Sequence, residues 1–396
     1  MRAIARVLLL LFVFTIPWEY SLDLGEPWGN VARIAGLLLL LAAVPAALQK
    51  GSVRAPGPVQ WMVMTLYLWF CCTYFWTVAP QETLISLRGF FQKMMIVWLV
   101  WEFAETPLDL RALLRAAVAG SAVLALLTLA DFRSAEAVLT SQTRFAAVGQ
   151  DPNDVAAFLD LGFPLAALLT VCEPHRWSRR LAMAYLPLGL AAVLLTASRG
   201  GFLGSLVALG GSALLLYRTY PRRTLIGALA LPIMAAALWF IVPMENFERL
   251  ATIPEQLHGG TLNERWKIWH AGWQAFRHAP LFGFGAGSFV SAAGLSAEDT
   301  AHNAALAIAV SGGLVAFLLA VVIVVLIFRS LRHIQGILFL AMATSLAVWL
   351  TSSLVATVEQ SRATWLLLAL IALAGRMAVD VPVHLSTTFT PQSPTR

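Results

Sequence analysis

Apolar runs long enough to cross a lipid bilayer recur along the whole chain, and that recurrence excludes most folds before any motif is read. They lie at about residues 3–18, 30–48, 59–78, 88–103, 110–130, 153–172, 181–198, 201–217, 224–242, 301–328, 335–356 and 363–379. A hydrocarbon core of about 30 Å needs about 20 helical residues, so most of these runs can each span it as a helix. Only 12% of the 396 residues are charged and 59% are hydrophobic, whereas a soluble domain carries about 25% charged residues. The expected fold is an all-α polytopic membrane protein with about 12 transmembrane helices. Residues 1–379 form the helix bundle, with a large, partly helical loop inserted at 243–300. The Ser-, Thr- and Pro-rich tail 380–396 has no periodic pattern and reads as a disordered cytoplasmic end.

Orientation follows from the basic residues. Arg2, Arg6, Lys50, Arg54, Arg111, Arg115, Arg176, Arg179, Arg180, Arg218, Arg222, Arg223, Arg329, Arg332 and Arg376 fall in connections on one side, which the positive-inside rule makes cytoplasmic. Both termini are then inside and the 243–300 loop is outside. The net charge of +6 comes from arginines scattered over short loops rather than gathered on one face, so nucleic acid is not an expected partner. Cys71, Cys72 and Cys172 show neither a C-x-x-C pair nor metal-ligand spacing. Arg2 and Arg6 precede an apolar run without an A-x-A-like cleavage site, which reads as a first membrane helix.

Arginines left on the outside need a reason. Arg88 follows the third span, and Arg144 lies in RFAAVGQDPND (Arg144 to Asp154). Arg199 sits in TASRGG (Thr196 to Gly201), and Arg265 in LNERWKIWHAGWQAF (Leu262 to Phe276). Each could snorkel to headgroups or pair with a loop acid. Converging, they would hold a pyrophosphate and stabilise its charge as it leaves. Gly200 and Gly201 would let the backbone turn tightly beside Arg199. Leu262, Trp266, Trp269, Trp273 and Phe276 make one helical stripe, expected to anchor that helix at the membrane surface, with Arg265 on its flank.

His302 combines a near-neutral pKa with an outside position at the first turn of a membrane helix, where Asp299 or Thr300 could serve as N-cap. The helix N-terminus would keep it a neutral base. Asn303 beside it could orient a ligand or the ring. The series Gly283, Gly285 and Gly287 marks a flexible loop and not a dinucleotide fingerprint. No G-x-S-x-G is present, and no carboxylate pattern demands a metal.

The order RFAAVGQDPN, TASRGG, LNERWKIW, G-x-G-x-G-S-F and then HN at the start of a long apolar run resembles the O-antigen ligase and O-antigen polymerase superfamily. The resemblance covers most of the chain, most strongly from Arg144 to about Phe328. It implies a GT-C-like, metal-independent, inverting glycosyltransferase of the bacterial inner membrane, with no cofactor. Such an enzyme takes a glycan from undecaprenyl pyrophosphate at the periplasmic face and joins it to an acceptor hydroxyl, such as that of lipid A-core. By the resemblance, Arg199 and Arg265 match the arginines that hold the donor pyrophosphate, with Arg88 and Arg144 as weaker matches, and His302 matches the histidine that activates the acceptor. A polymerase of lipid-linked repeats, a protein O-oligosaccharyltransferase and, in a different class, a transporter of an anionic substrate are the alternatives.

Overall fold

The computed structural model describes residues 1–25, 29–138, 143–258, 264–296 and 299–392. It contains α1 (Arg2–Thr15), α2 (Val31–Lys50), α3 (Pro58–Thr73), α4 (Pro80–Phe103), α5 (Pro107–Val138), α6 (Pro152–Cys172), α7 (Arg176–Leu195) and α8 (Arg199–Thr219). A bent pair follows, α9 (Pro221–Ala228) and α10 (Leu231–Ile241), and then the short helices α11 (Met244–Ala251), α12 (Ile253–His258), α13 (Arg265–His278) and α14 (Phe289–Ala293). The chain closes with α15 (Ala304–His333), α16 (Gly336–Ser353), α17 (Arg362–Asp380) and α18 (Pro382–Thr388).

The protein is an all-α polytopic membrane protein, as the apolar runs require. Among the described residues, 10 helices are long and apolar enough to cross a membrane, or 11 if the α9–α10 pair, bent by 44°, is counted as one span. The remaining apolar run is α3, whose 16 residues make a helix only about 24 Å long. The expected single span at 224–242 is broken between α9 and α10. Pro232 stands at the start of α10, where its ring and missing N–H end continuous helix pairing.

The middle of the bundle is α6 and α17, whose apolar windows are 83% and 72% buried. Around them, α6 packs on α5, α7, α8 and α16, and α17 packs on α4 and α15. Side-chain caps start the helices that matter for the site: Asp151 caps α6, Ser198 caps α8, Asn303 caps α15 and Ser361 caps α17. Each places a side-chain oxygen on an amide that has no carbonyl partner within its helix.

At one end of the bundle, basic residues assigned to the cytoplasmic side meet acids. Arg2 bonds Glu102 and Glu105, Arg6 bonds Glu105, and the Arg54 amide donates to Glu102. Nearby, Arg115 forms a bidentate pair with the buried Glu173 at 2.6 and 2.8 Å. The tail departs from expectation. Instead of being disordered from residue 380, it forms α18, buries Leu385 and Phe389, and donates from the Gln392 amide to the Val171 carbonyl. Apolar side chains at Leu385 and Phe389, four apart on one helical face, supply the burial that its Ser- and Thr-rich composition conceals.

The glycine-rich segment is the other departure. It is a wedge driven into α15 rather than a flexible loop. Gly313 has φ 67° and ψ −167°, which breaks that helix. Across the break the amides of Phe284 and Gly285 donate to the carbonyls of Val310 and Ser311, while those of Leu314 and Val315 donate to Pro280 and Leu281. Amide and carbonyl groups freed by the break are thereby re-paired, as a bilayer demands. A Cβ on Gly283 would stand 2.5 Å from the Gly313 nitrogen, so the close approach requires glycine.

Candidate functional site

The site is built on the C-terminal end of α7. Its last carbonyls lack helical partners and form the negative end of the helix dipole. Leu195 accepts from the Phe145 amide and, with Leu194, from the buried Asn246 side chain at 3.0 Å. The next two carbonyls each take an arginine: Thr196 accepts from Arg144 Nε at 3.1 Å, and Ala197 from Arg249 Nε at 3.1 Å. Arg199 Nε in turn donates to the Arg249 carbonyl at 3.2 Å. Arg249 thus grips the chain beside Arg199 while its own backbone grips the Arg199 side chain.

The turn that puts Arg199 there is not made by its glycines. Ala197 takes the left-handed conformation, with φ 47°, and Ser198 caps α8 by accepting from the Gly201 amide at 3.1 Å. Gly200 and Gly201 lie within α8 and serve close packing: a Cβ on Gly201 would meet Ala156 Cβ at 2.2 Å, and one on Gly200 would meet Val355 Cγ2 at 2.9 Å. Ser198 and Arg144 share one acceptor, Asn153 Oδ1, each at 2.9 Å. A single amide therefore ties the α5–α6 connection to the start of α8.

Four guanidinium groups converge. Arg144 lies within electrostatic reach of Arg249, Arg265 and Arg199, and Arg265 within reach of Arg199. Burial first, and the neighbouring guanidinium groups second, pull Arg144 and Arg265 below the usual arginine range. Asp151 is the carboxylate that acts on both and on His302 as well. Among the described residues, backbone carbonyls hold Arg144, Arg199 and Arg249 through hydrogen bonds worth about 1.5–3 kcal/mol each. Such a cluster favours an anion.

His302 stands two residues before α15 rather than in its first turn, with φ 44°. The cap of α15 is Asn303, not Asp299 or Thr300. Its Oδ1 accepts from the Leu306 amide at 2.9 Å and its Nδ2 donates to the Leu354 carbonyl at 3.4 Å. Asn303 thus fixes the start of α15 and ties it to the end of α16. Nε2 of His302 shares a hydrogen bond with the Thr300 hydroxyl at 3.1 Å, and its amide donates to Thr357 Oγ1 at 3.2 Å. Burial and then Arg265 hold its pKa below the ordinary histidine value, against the opposing pull of Asp151 and Asp299. Burial and Arg265, rather than the helix dipole, thus favour the neutral ring.

The structure brings together Arg144, Arg199, Arg265 and His302. Arg88 is different. Helix α4 begins at Pro80, eight residues before the expected span, so Arg88 lies in the third turn of that helix and is exposed. None of the interactions that couple the four arginines reaches it. Arg249 is the residue that sequence reasoning missed; MENFERL (Met244 to Leu250) resembles any amphipathic surface helix, and only its packing on α7 reveals it.

Helix α13 presents Arg265 from its first position, after Glu264 in the left-handed conformation at φ 62°. Its buried face is Ile268, Gly272 and Ala275, with Trp269 donating to the Ala301 carbonyl at 3.0 Å. The expected tryptophan stripe is therefore split: Trp269 and Phe276 flank the buried face, while Trp266 and Trp273 point outward. Leu262 lies outside the described residues.

Fold and cluster define a polytopic helical membrane protein with a cluster of arginines at one end of its bundle. Residues 184–321 match the family model described as O-antigen ligase, so this segment is similar to the O-antigen ligase superfamily. No curated protein matches the chain. That similarity supports a function of the O-antigen ligase or polymerase type, in polysaccharide assembly. The matched segment contains Arg199, Arg249, Arg265 and His302, while Arg144 reaches the site from outside it.

Proposed function

We propose that the protein transfers a glycan from undecaprenyl pyrophosphate to an acceptor hydroxyl at the periplasmic face of the inner membrane, as a ligase onto lipid A-core or a comparable acceptor. The observation that carries this reading is the convergence of Arg144, Arg199, Arg249 and Arg265 on one spot beside the half-buried His302. The arginines bind the donor pyrophosphate and neutralise the charge that grows on it as the glycosyl bond breaks. His302, neutral because it is buried beside Arg265, takes the proton from the acceptor hydroxyl as that oxygen attacks the anomeric carbon from the face opposite the leaving group. The product carries inverted configuration, and undecaprenyl pyrophosphate departs. A pyrophosphate neutralised by four guanidinium groups leaves without a metal ion in the step.

The test incubates purified protein with an undecaprenyl-pyrophosphate glycan and either lipid A-core or a second molecule of donor. Glycan on the core supports a ligase; lengthened donor supports a polymerase, which would use the same site. Arg265→Ala and His302→Ala should each abolish product, the histidine variant by about 10²- to 10⁴-fold. Full activity in either variant would overturn the assigned roles.

A further inference from the structure

His302 is the only described residue besides Ala197 and Glu264 that is not glycine yet has positive φ. Positive φ is uncommon for a residue with a Cβ, though histidine tolerates it better than most, and contacts with its surroundings hold it there. Those contacts come from far along the chain, in the connector Leu354–Thr357 between α16 and α17. Thr357 Oγ1 accepts the His302 amide at 3.2 Å, and the Leu354 carbonyl accepts from Asn303 Nδ2 at 3.4 Å. Ala356 and Val358 pack against Ala304 beneath them. The same connector touches the other wall of the site, because Val355 Cγ2 occupies the place where a Cβ on Gly200 would come within 2.9 Å.

The connector is itself pinned at its far end. The Val358 carbonyl accepts from Thr364 Oγ1 at 2.6 Å, that hydroxyl accepts from Trp349 Nε1 at 2.9 Å, and Trp365 Nε1 donates to the Glu359 carbonyl at 3.0 Å. Helices α16 and α17 therefore hold it rigidly. It also lies outside the segment matched by the family model, which ends at residue 321.

We propose that Leu354–Thr357 is a brace that sets His302 against the Arg199 end of α8, with Thr357 as the positioning residue for His302. Thr357 touches the backbone of His302 and acts through it. The proposal rests on the reading of His302 as the base. The groups that face the ring are Arg265 from α13, Asp151 from the cap of α6, and Asp299 and Thr300 from its own loop.

Thr357→Val keeps the shape and removes the acceptor; Thr357→Ser keeps the acceptor. The valine variant should lower kcat by about 10- to 100-fold, the cost expected of a base displaced by about 1 Å, with donor KM within about threefold because the arginines are undisturbed. Serine should restore kcat to within about threefold of wild type. As His302 relaxes toward water, the acidic limb of the valine variant's kcat/KM–pH profile should move up toward about 6.5. From the other wall, Gly200→Ala pushes on Val355 and should also lower kcat, with recovery in Gly200→Ala/Val355→Ala. Wild-type kcat and pH profile in Thr357→Val, or equal losses with valine and serine, would overturn the brace. His302→Ala, assayed alongside, separates the two claims: activity retained there removes the base itself, whereas activity lost there but intact in Thr357→Val removes only the brace.

Discussion

At the scale of single residues, the site depends on which groups hold the arginines. Arg249 holds the Ala197 carbonyl through Nε and holds Arg199 through its own carbonyl. Arg249→Ala should therefore weaken donor binding twice, by losing a charge and by releasing the turn that carries Arg199. A rise in donor KM of about 10-fold or more is expected, from a charged hydrogen bond worth about 1.5–3 kcal/mol. Lysine at 249 should rescue it poorly, because a point charge lacks the fork that meets a carbonyl on one edge and an anion on the other. Steady-state assays over a range of donor concentrations read both. The lowered pKa of His302 gives a second expectation. A base must be unprotonated, and a depressed pKa keeps it so further into acid. The acidic limb of kcat/KM, which reports the free enzyme, should fall below the ordinary histidine value of about 6.5, and a limb at or above it would contradict the burial of the ring.

At the scale of elements, the glycine wedge in α15 decides how the loop meets the bundle. Gly283 at φ 67° and Gly313 at φ 67° approach each other so closely that a Cβ on Gly313 would stand 2.2 Å from the Leu281 carbonyl oxygen. The atoms in the way are backbone and cannot rotate aside. Gly313→Ala should shorten the half-life of the detergent-solubilised protein at elevated temperature, by an amount corresponding to about 2 kcal/mol or more. Gly294→Ala, also at positive φ but with open space where its Cβ would stand, should cost only the conformational strain, about 1–2 kcal/mol. The contrast between the two variants, read by fluorescence-detected elution after heating, separates packing from backbone preference. The spacing of Gly283, Gly285 and Gly287 is plain in the sequence. That the spacing serves a fixed wedge is not, because Phe284, Gly285, Leu314 and Val315 find their carbonyl partners about thirty residues away.

At the scale of the whole molecule, the arginine cluster and the Arg2–Glu102–Glu105 cluster belong to opposite ends of the bundle. If the positive-inside assignment holds, Lys267→Cys on α13 will react with a membrane-impermeant maleimide in right-side-out vesicles, and Arg222→Cys on α9 will react only after permeabilisation. Both positions are exposed; Cys72, which is exposed, is first replaced by serine. The reverse pattern would put the arginine cluster on the cytoplasmic side and overturn the proposed periplasmic reaction.

Hydrophobicity acts locally and additively, so a run of apolar residues declares a membrane helix wherever the rest of the chain goes. For this reason the sequence by itself determined that the protein is an all-α membrane bundle, with an interrupting loop and a few outside arginines that need explaining. Order and spacing of Arg144, Arg199, Arg265 and His302 along the chain were legible for the same reason: each sits at or near an end of a helix that the apolar pattern marks. Their convergence was decided by tertiary structure, because carbonyls at the end of α7 and a hydroxyl on the α16–α17 connector are identical in kind to hundreds of others until packing aims them. That aim set Arg249 beside Arg199 and Thr357 beside His302, left Arg88 exposed on α4, made Asn303 the cap of α15, and gave the tail a helix.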